Sequence, residues 1–163
     1  MKTYLLLAAG LALAPGIAVA AGSHAGGHGD DHMMMAVGEP GTADEVSRTV
    51  TIRMTETDDG KMLFEPARLD VRKGETVRFK VENRGELEHE FVLDDHDRMM
   101  EHKEAMMKMP EMEHDDPNAV RLDPGMKGEV IWTFANAGSF EFGCLIPGHY
   151  ESGMKGDVTV ADD

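Results

Sequence analysis

The sequence predicts an all-β domain, a small sandwich or barrel, on three observations. Apolar and polar residues alternate with a period of two in RTVTIRM (48–54) and ETVRFKVEN (75–83), as half-buried strands require. Shorter strand candidates recur at HEFVL (89–93), GEVIWTF (128–134), GSFEFGC (138–144) and DVTV (157–160). Turn-forming pairs punctuate them: Asp59-Gly60, Lys73-Gly74, Arg84-Gly85, Pro124-Gly125 and Ala137-Gly138. Many short strands so separated make a sandwich or barrel, and a domain over residues 46–163 is long enough for one small core.

Three segments depart from the strand pattern. Residues 1–20 read as a signal peptide: Lys2 supplies the positive start, Leu5 to Val19 is almost wholly apolar, and Ala18-Val19-Ala20 fits small-x-small cleavage. The apolar run is too short for a membrane span and Pro15-Gly16 interrupts it. An exported chain is expected, most simply in a bacterial periplasm, with no membrane insertion after cleavage. Residues 21–45, rich in glycine, histidine and acid, read as a flexible tail. Residues 95–116 lack β-branched side chains and hold helix formers up to Pro110, which predicts a helix from Asp97 to Lys108 inserted between two strands. Helical spacing places His96, Met99, Met100, Lys103 and Met107 near one face, and Met99, His102, Met106 and Met109 on an adjacent one.

Composition narrows the function. The 163 residues carry 16 basic and 31 acidic side chains, a net charge of −15. That acidity argues against a nucleic-acid partner, which needs a basic footprint, and against anionic lipid. One cysteine, Cys144, forbids an internal disulfide framework and any four-cysteine metal site. In an oxidising compartment a lone thiol must be buried, paired between chains or occupied by metal. Fourteen methionines and eight histidines are many beside one tryptophan and two tyrosines.

The strongest motif is Cys144-Leu145-Ile146-Pro147-Gly148-His149-Tyr150-Glu151-Ser152-Gly153-Met154. It places a thiolate, an imidazole and a thioether on one short loop between strands. Upstream, His89 opens a strand after the loop from Asn83 to Glu88. Two histidines, one cysteine and one methionine are the donor set of a mononuclear copper site: three strong ligands and a weak axial thioether. The mixed donors suit both Cu(I) and Cu(II).

At these residues the chain resembles the cupredoxins, the small blue-copper proteins such as plastocyanin, azurin and rusticyanin. The spacing Cys-x4-His-x4-Met, with Pro-Gly before the histidine, is similar to the longer rusticyanin-like loop. The resemblance covers roughly residues 46–161 and implies a Greek-key β-sandwich with one type 1 copper ligated by His89, Cys144, His149 and Met154. The run GxFEFxCLIPGHYExGM, with an acidic Met/His-rich insert before DPNAVRLDPG, further resembles periplasmic cupredoxins associated with copper tolerance. One position departs: plastocyanin and azurin have asparagine directly after the first histidine ligand, and here that residue is Glu90.

Two Met/His patches are candidates for auxiliary, weakly held copper: His24, His28, His32, Met33, Met34 and Met35 in the tail, and His96, Met99, His102, Met106 and His114 in the insert. Some insert methionines are expected to pack the helix on the sandwich instead. Copper tolerance is the favoured function, with copper ions as ligand and a redox protein, copper exporter or oxidase as candidate partner. A soluble electron carrier is the alternative; Leu145, Ile146, Pro147 and Tyr150 would form its apolar docking patch around His149. An enzyme is not expected. A Cys-His nucleophile lacks an oxyanion element, and a nitrite reductase or oxidase fragment would need a second, open metal.

Overall fold

The structure, a computed structural model, describes residues 35–109 and 116–162. Among these residues, ten strands form two five-stranded sheets. The first has the order β1 (Glu39–Pro40), β8 (Lys127–Thr133), β5 (Thr76–Asn83), β2 (Arg48–Glu56), β3 (Met62–Glu65). The second has the order β4 (Arg68–Arg72), β10 (Lys155–Ala161), β9 (Gly138–Gly143), β6 (His89–Asp94), β7 (Ala119–Leu122). The chain changes sheet repeatedly, so β2 pairs parallel with β5 and β4 parallel with β10, while the other pairings are antiparallel. This is the predicted all-β sandwich with one helix.

The inward positions fill the space between the sheets. Ile52 and Met54 of β2, Val77, Phe79 and Val81 of β5, and Val158 and Val160 of β10 are buried at every second residue. Phe91 stacks on Phe142 with ring centroids 5.4 Å apart, and Phe64 meets Phe142 edge-on at 5.2 Å. The first contact joins β6, which opens on His89, to β9, which leads to Cys144, and the second ties β3 to them.

The helix α1 runs over His96–Lys108, one residue longer than predicted at its start. Asp95 caps it by accepting the Arg98 backbone N–H at 3.0 Å. Met99 and Met106 lie two turns apart and are fully buried with Val92, Leu145 and Tyr150 in a second apolar cluster. The helix therefore covers Val92 on the outer face of β6, a strand whose six residues are all buried. Met107 and Met109 face solvent.

Residues 35–40, within the segment expected to be a flexible tail, are placed against the sandwich. Val37 is fully buried, its carbonyl accepts the Trp132 indole N–H at 3.3 Å, and Glu39–Pro40 pair with β8. A buried indole N–H needs an acceptor and the open edge of β8 needs cover; residues 35–40 supply both. Gly38 sits at φ 132°, where an added Cβ would collide with the Thr133 carbonyl oxygen. The predicted signal peptide lies outside the described residues. No helix among those described is long and apolar enough to cross a membrane.

Candidate metal centre

The first half of the site is built on the ends of two parallel strands. In β2 the inward series Val50, Ile52, Met54 continues to Glu56; in β5 the series Val77, Phe79, Val81 continues to Asn83. Both polar ends bind the loop that follows β5. Buried Asn83 donates from Nδ2 to the carbonyls of Leu87 (2.8 Å) and Leu122 (2.9 Å), and its Oδ1 accepts the Gly85 N–H at 2.9 Å. Glu56 Oε2 accepts the Glu86 N–H at 3.0 Å, and Oε1 accepts the Leu87 N–H at 2.9 Å. Oε1 also lies 2.8 Å from His89 Nε2. Burial works to raise the Glu56 pKa, but the N–H donors of Leu87, Glu86 and His89 outweigh it and hold the carboxyl below its ordinary value.

The second half is the loop after β9. The Cys144 N–H donates to the Met154 carbonyl, and the Met154 N–H donates to the His149 carbonyl, both at 3.1 Å. The His149 N–H donates to the Ile146 carbonyl at 3.0 Å. The motif's x4 spacings thus close two small loops that bring residues 144, 149 and 154 together. Cys144 and Met154 are fully buried, His89 likewise, and His149 is half-buried beside exposed Pro147 and Gly148.

The halves meet at three donor atoms. His89 Nδ1 lies 3.2 Å from His149 Nδ1, which lies 3.4 Å from Cys144 Sγ. The potential ligand atoms of His89, Cys144 and His149 all lie within 4.8 Å of one another. Donation from Nε2 to the Glu56 carboxylate fixes the proton there in neutral His89, leaving Nδ1 with a bare lone pair aimed at the cluster. Burial, and next the nearby His89, push the His149 pKa down, which favours the neutral, ligating ring. Burial pushes the Cys144 thiol up to about 12. Two converging imidazoles and a buried thiol are the chemistry of a soft-metal site, and they fit copper.

The comparisons with known proteins agree. Copper binding proteins of the plastocyanin/azurin family match residues 51–161. The chain belongs to that family. A curated relative from Rubrivivax gelatinosus, the copper-resistant cuproprotein CopI, is 49% identical over 138 residues, covering 85% of this chain and 81% of its own. The protein of the same name from Pseudomonas aeruginosa is 36% identical, covering 77% of this chain and 82% of its own. Among solved structures, auracyanin B superposes with a TM-score of 0.58 at 25% identity, over 71% of this chain and 90% of that one.

Within this cupredoxin fold the Glu90 departure is accommodated by the backbone. The Glu90 N–H donates to Cys144 Sγ at 3.3 Å, a bond between the two ligand-bearing segments that needs no particular side chain. Its buried side chain belongs to a residue paired in register with Arg121 on β7. Glu56 had no part in the sequence reading. Its signal was present, though: it is an acid at an inward-parity position of a strand otherwise filled by Val50, Ile52 and Met54.

Among the described residues, two of the auxiliary candidates, Met35 and His102, line one cleft beside α1. His24, His28, His32, Met33, Met34 and His114 lie outside the described residues. Met35 is partly buried against the main core. His96 is exposed, with Nδ1 2.9 Å from Glu141 Oε1, and His102 is half-buried on α1. Met99 and Met106 have no exposed surface to offer an arriving ion; their thioethers serve packing. The apolar patch expected around His149 is also smaller than predicted. Leu145 and Tyr150 turn into the cluster beneath α1, which leaves half-buried Ile146 and exposed Pro147 at the rim.

Proposed function

We propose that the protein is a periplasmic copper-tolerance cupredoxin with one type 1 copper held by His89, Cys144, His149 and Met154, and that it is not an enzyme. The convergence of His89, Cys144 and His149 within 4.8 Å carries this reading. The name shared by the curated relatives supports a role in copper resistance. Residues 1–20 support export.

When bound, copper supplies a one-electron couple between Cu(I) and Cu(II). The protein's part is to prepare the donors. Cys144 gives up its proton on metal binding, so loading releases acid. The Glu90 N–H steadies the sulfur, His89 is locked from behind by Glu56, and the backbone bonds of Met154 hold its side chain's root against both loops. Because strands and paired loops fix these groups before loading, little has to move when the charge changes.

The electron-carrier reading shares this centre. The withdrawal of Leu145 and Tyr150 from the surface favours copper handling, since a carrier docks through an apolar rim around its exposed histidine. Cys144→Ser is expected to abolish the intense visible thiolate-to-Cu(II) absorption; retention of the band would refute the site. Cells lacking the protein are expected to grow poorly under copper stress. Normal growth with slowed respiration would instead favour the carrier.

A further inference from the structure

The hydrogen-bonded carboxylate behind His89 does more than the fold requires. A neutral acceptor, such as a carbonyl, would fix the same tautomer. Glu56 adds a full negative charge, 2.8 Å from the Nε2 of a ring that has no solvent exposure. The Glu86 and Leu87 backbone N–H groups hold that carboxylate in place. Gly85 admits it: a Cβ there would collide with the Glu56 carboxylate. The cation sharing this cleft, Arg84, is engaged elsewhere, donating from Nε to Glu82 at 2.9 Å. The Glu56 charge is thus immobile and directed onto one ligand.

We infer that Glu56 is a positioning and charge-tuning residue of the copper centre: it fixes the His89 ring and biases the bound metal toward the oxidised state. This rests on the copper reading above. A carboxylate accepting the rear N–H of a ligating imidazole strengthens the donor nitrogen. A fixed negative charge favours the more highly charged ion, and it does so most strongly where water is excluded. The chemistry selected is Cu(II) over Cu(I), which would let the site accept copper in its oxidised form and resist reduction.

The test compares copper-loaded wild type, Glu56→Gln and Asp58→Asn. Glutamine keeps the shape and one acceptor oxygen but removes the charge; Asp58 is an exposed acid two residues away. Glu56→Gln is expected to keep the thiolate band while its preference for Cu(II) over Cu(I) falls at least tenfold, a rise in reduction potential of about 59 mV or more. Asp58→Asn is expected to change the ratio by less than threefold, because solvent screens it. A purely structural Glu56 would lower the melting temperature and leave the potential where Asp58→Asn leaves it, and that result overturns the inference. A wild-type protein without the band would defeat the copper reading itself; an intact band with an unmoved potential defeats only this one. Should Glu56→Gln fail to fold, the wild-type Cu(I) protein decides by NMR. A slowly exchanging His89 Nε2 proton with the downfield shift of a bond to carboxylate is expected, and rapid exchange of that proton overturns the inference.

Discussion

His89 arrives at the centre on a strand and His149 on a loop, and the two rings are held in opposite ways. His89 is fully buried, flanked by β7 and β9 on the β6 strand, and tied at its rear nitrogen to Glu56. His149 is half-buried, with exposed Pro147 and Gly148 beside it and only the short backbone bonds of its own loop beneath it. Both present Nδ1 to the same point. The contrast teaches a division of labour. The strand side holds its ring from behind with a carboxylate, and the loop side leaves its ring open to solvent.

The largest effect should come from emptying each position in turn. His149→Gly leaves a gap open to solvent, so added imidazole is expected to enter and restore the visible band. His89→Gly leaves a closed hole and deprives Glu56 of its partner, so imidazole should restore nothing. Absorption spectra titrated with imidazole read both variants. Equal rescue of the two would break the comparison, because it would mean that the β6 side opens as readily as the loop.

That asymmetry was only half legible in the sequence. Cys144, His149 and Met154 announce themselves because their donors lie within eleven residues and the x4 spacings close by local backbone bonds. His89 could be named as the histidine opening a strand. Glu56 showed only as an acid at an inward position of its strand; its link to His89 did not, because its partners lie 30 to 33 residues away and one sequence does not show which strand ends meet. The strands divide similarly. β2, β5, β6, β8, β9 and β10 carry alternation or apolar runs long enough to read. β1 has two residues, one of them proline, and owes its place to the open edge of β8. β3 and β7 have four residues each. β4, Arg68–Arg72, does alternate, but with only Leu69 and Val71 inward among three charges its signal is weak without the parallel partner β10. Helix α1 was legible as a helix, yet its inward face was not decided between two overlapping methionine rows; contact with Leu145 and Tyr150 selected Met99 and Met106.

The same contact makes a second, intermediate prediction about the loop side. Met106 is fully buried among Met99, Val92, Leu145 and Tyr150, so Met106→Ala should lower the unfolding free energy by about 2–5 kcal/mol. Two of those neighbours flank the His149 loop, so copper should also leave the variant faster, while the band maximum stays put because no ligand is changed. Denaturant unfolding and a chelator chase measure the two. A shifted band with unchanged release would mean that the helix acts on the strand side instead.

The smallest expected effect is a pH dependence that sharpens the contrast between the rings. Burial, reinforced by His89, lowers the His149 pKa in the folded chain below its ordinary 6.5. As pH falls through 6.5, the unfolded chain takes up a proton that the folded chain refuses. The stability of the metal-free protein is therefore full above about pH 7 and declines as acid is added toward the folded pKa. Thermal unfolding of the metal-free form between pH 7.5 and 5.5 should show that decline, and His149→Gln should flatten it by removing the titrating ring. Copper competes with the proton for the same nitrogen, so the loaded protein should keep its melting temperature further into the acid range. If His149→Gln left the slope unchanged, the loop side would not be the part of the site that senses acid, and the division between a fixed and an adjustable histidine would lose its thermodynamic half.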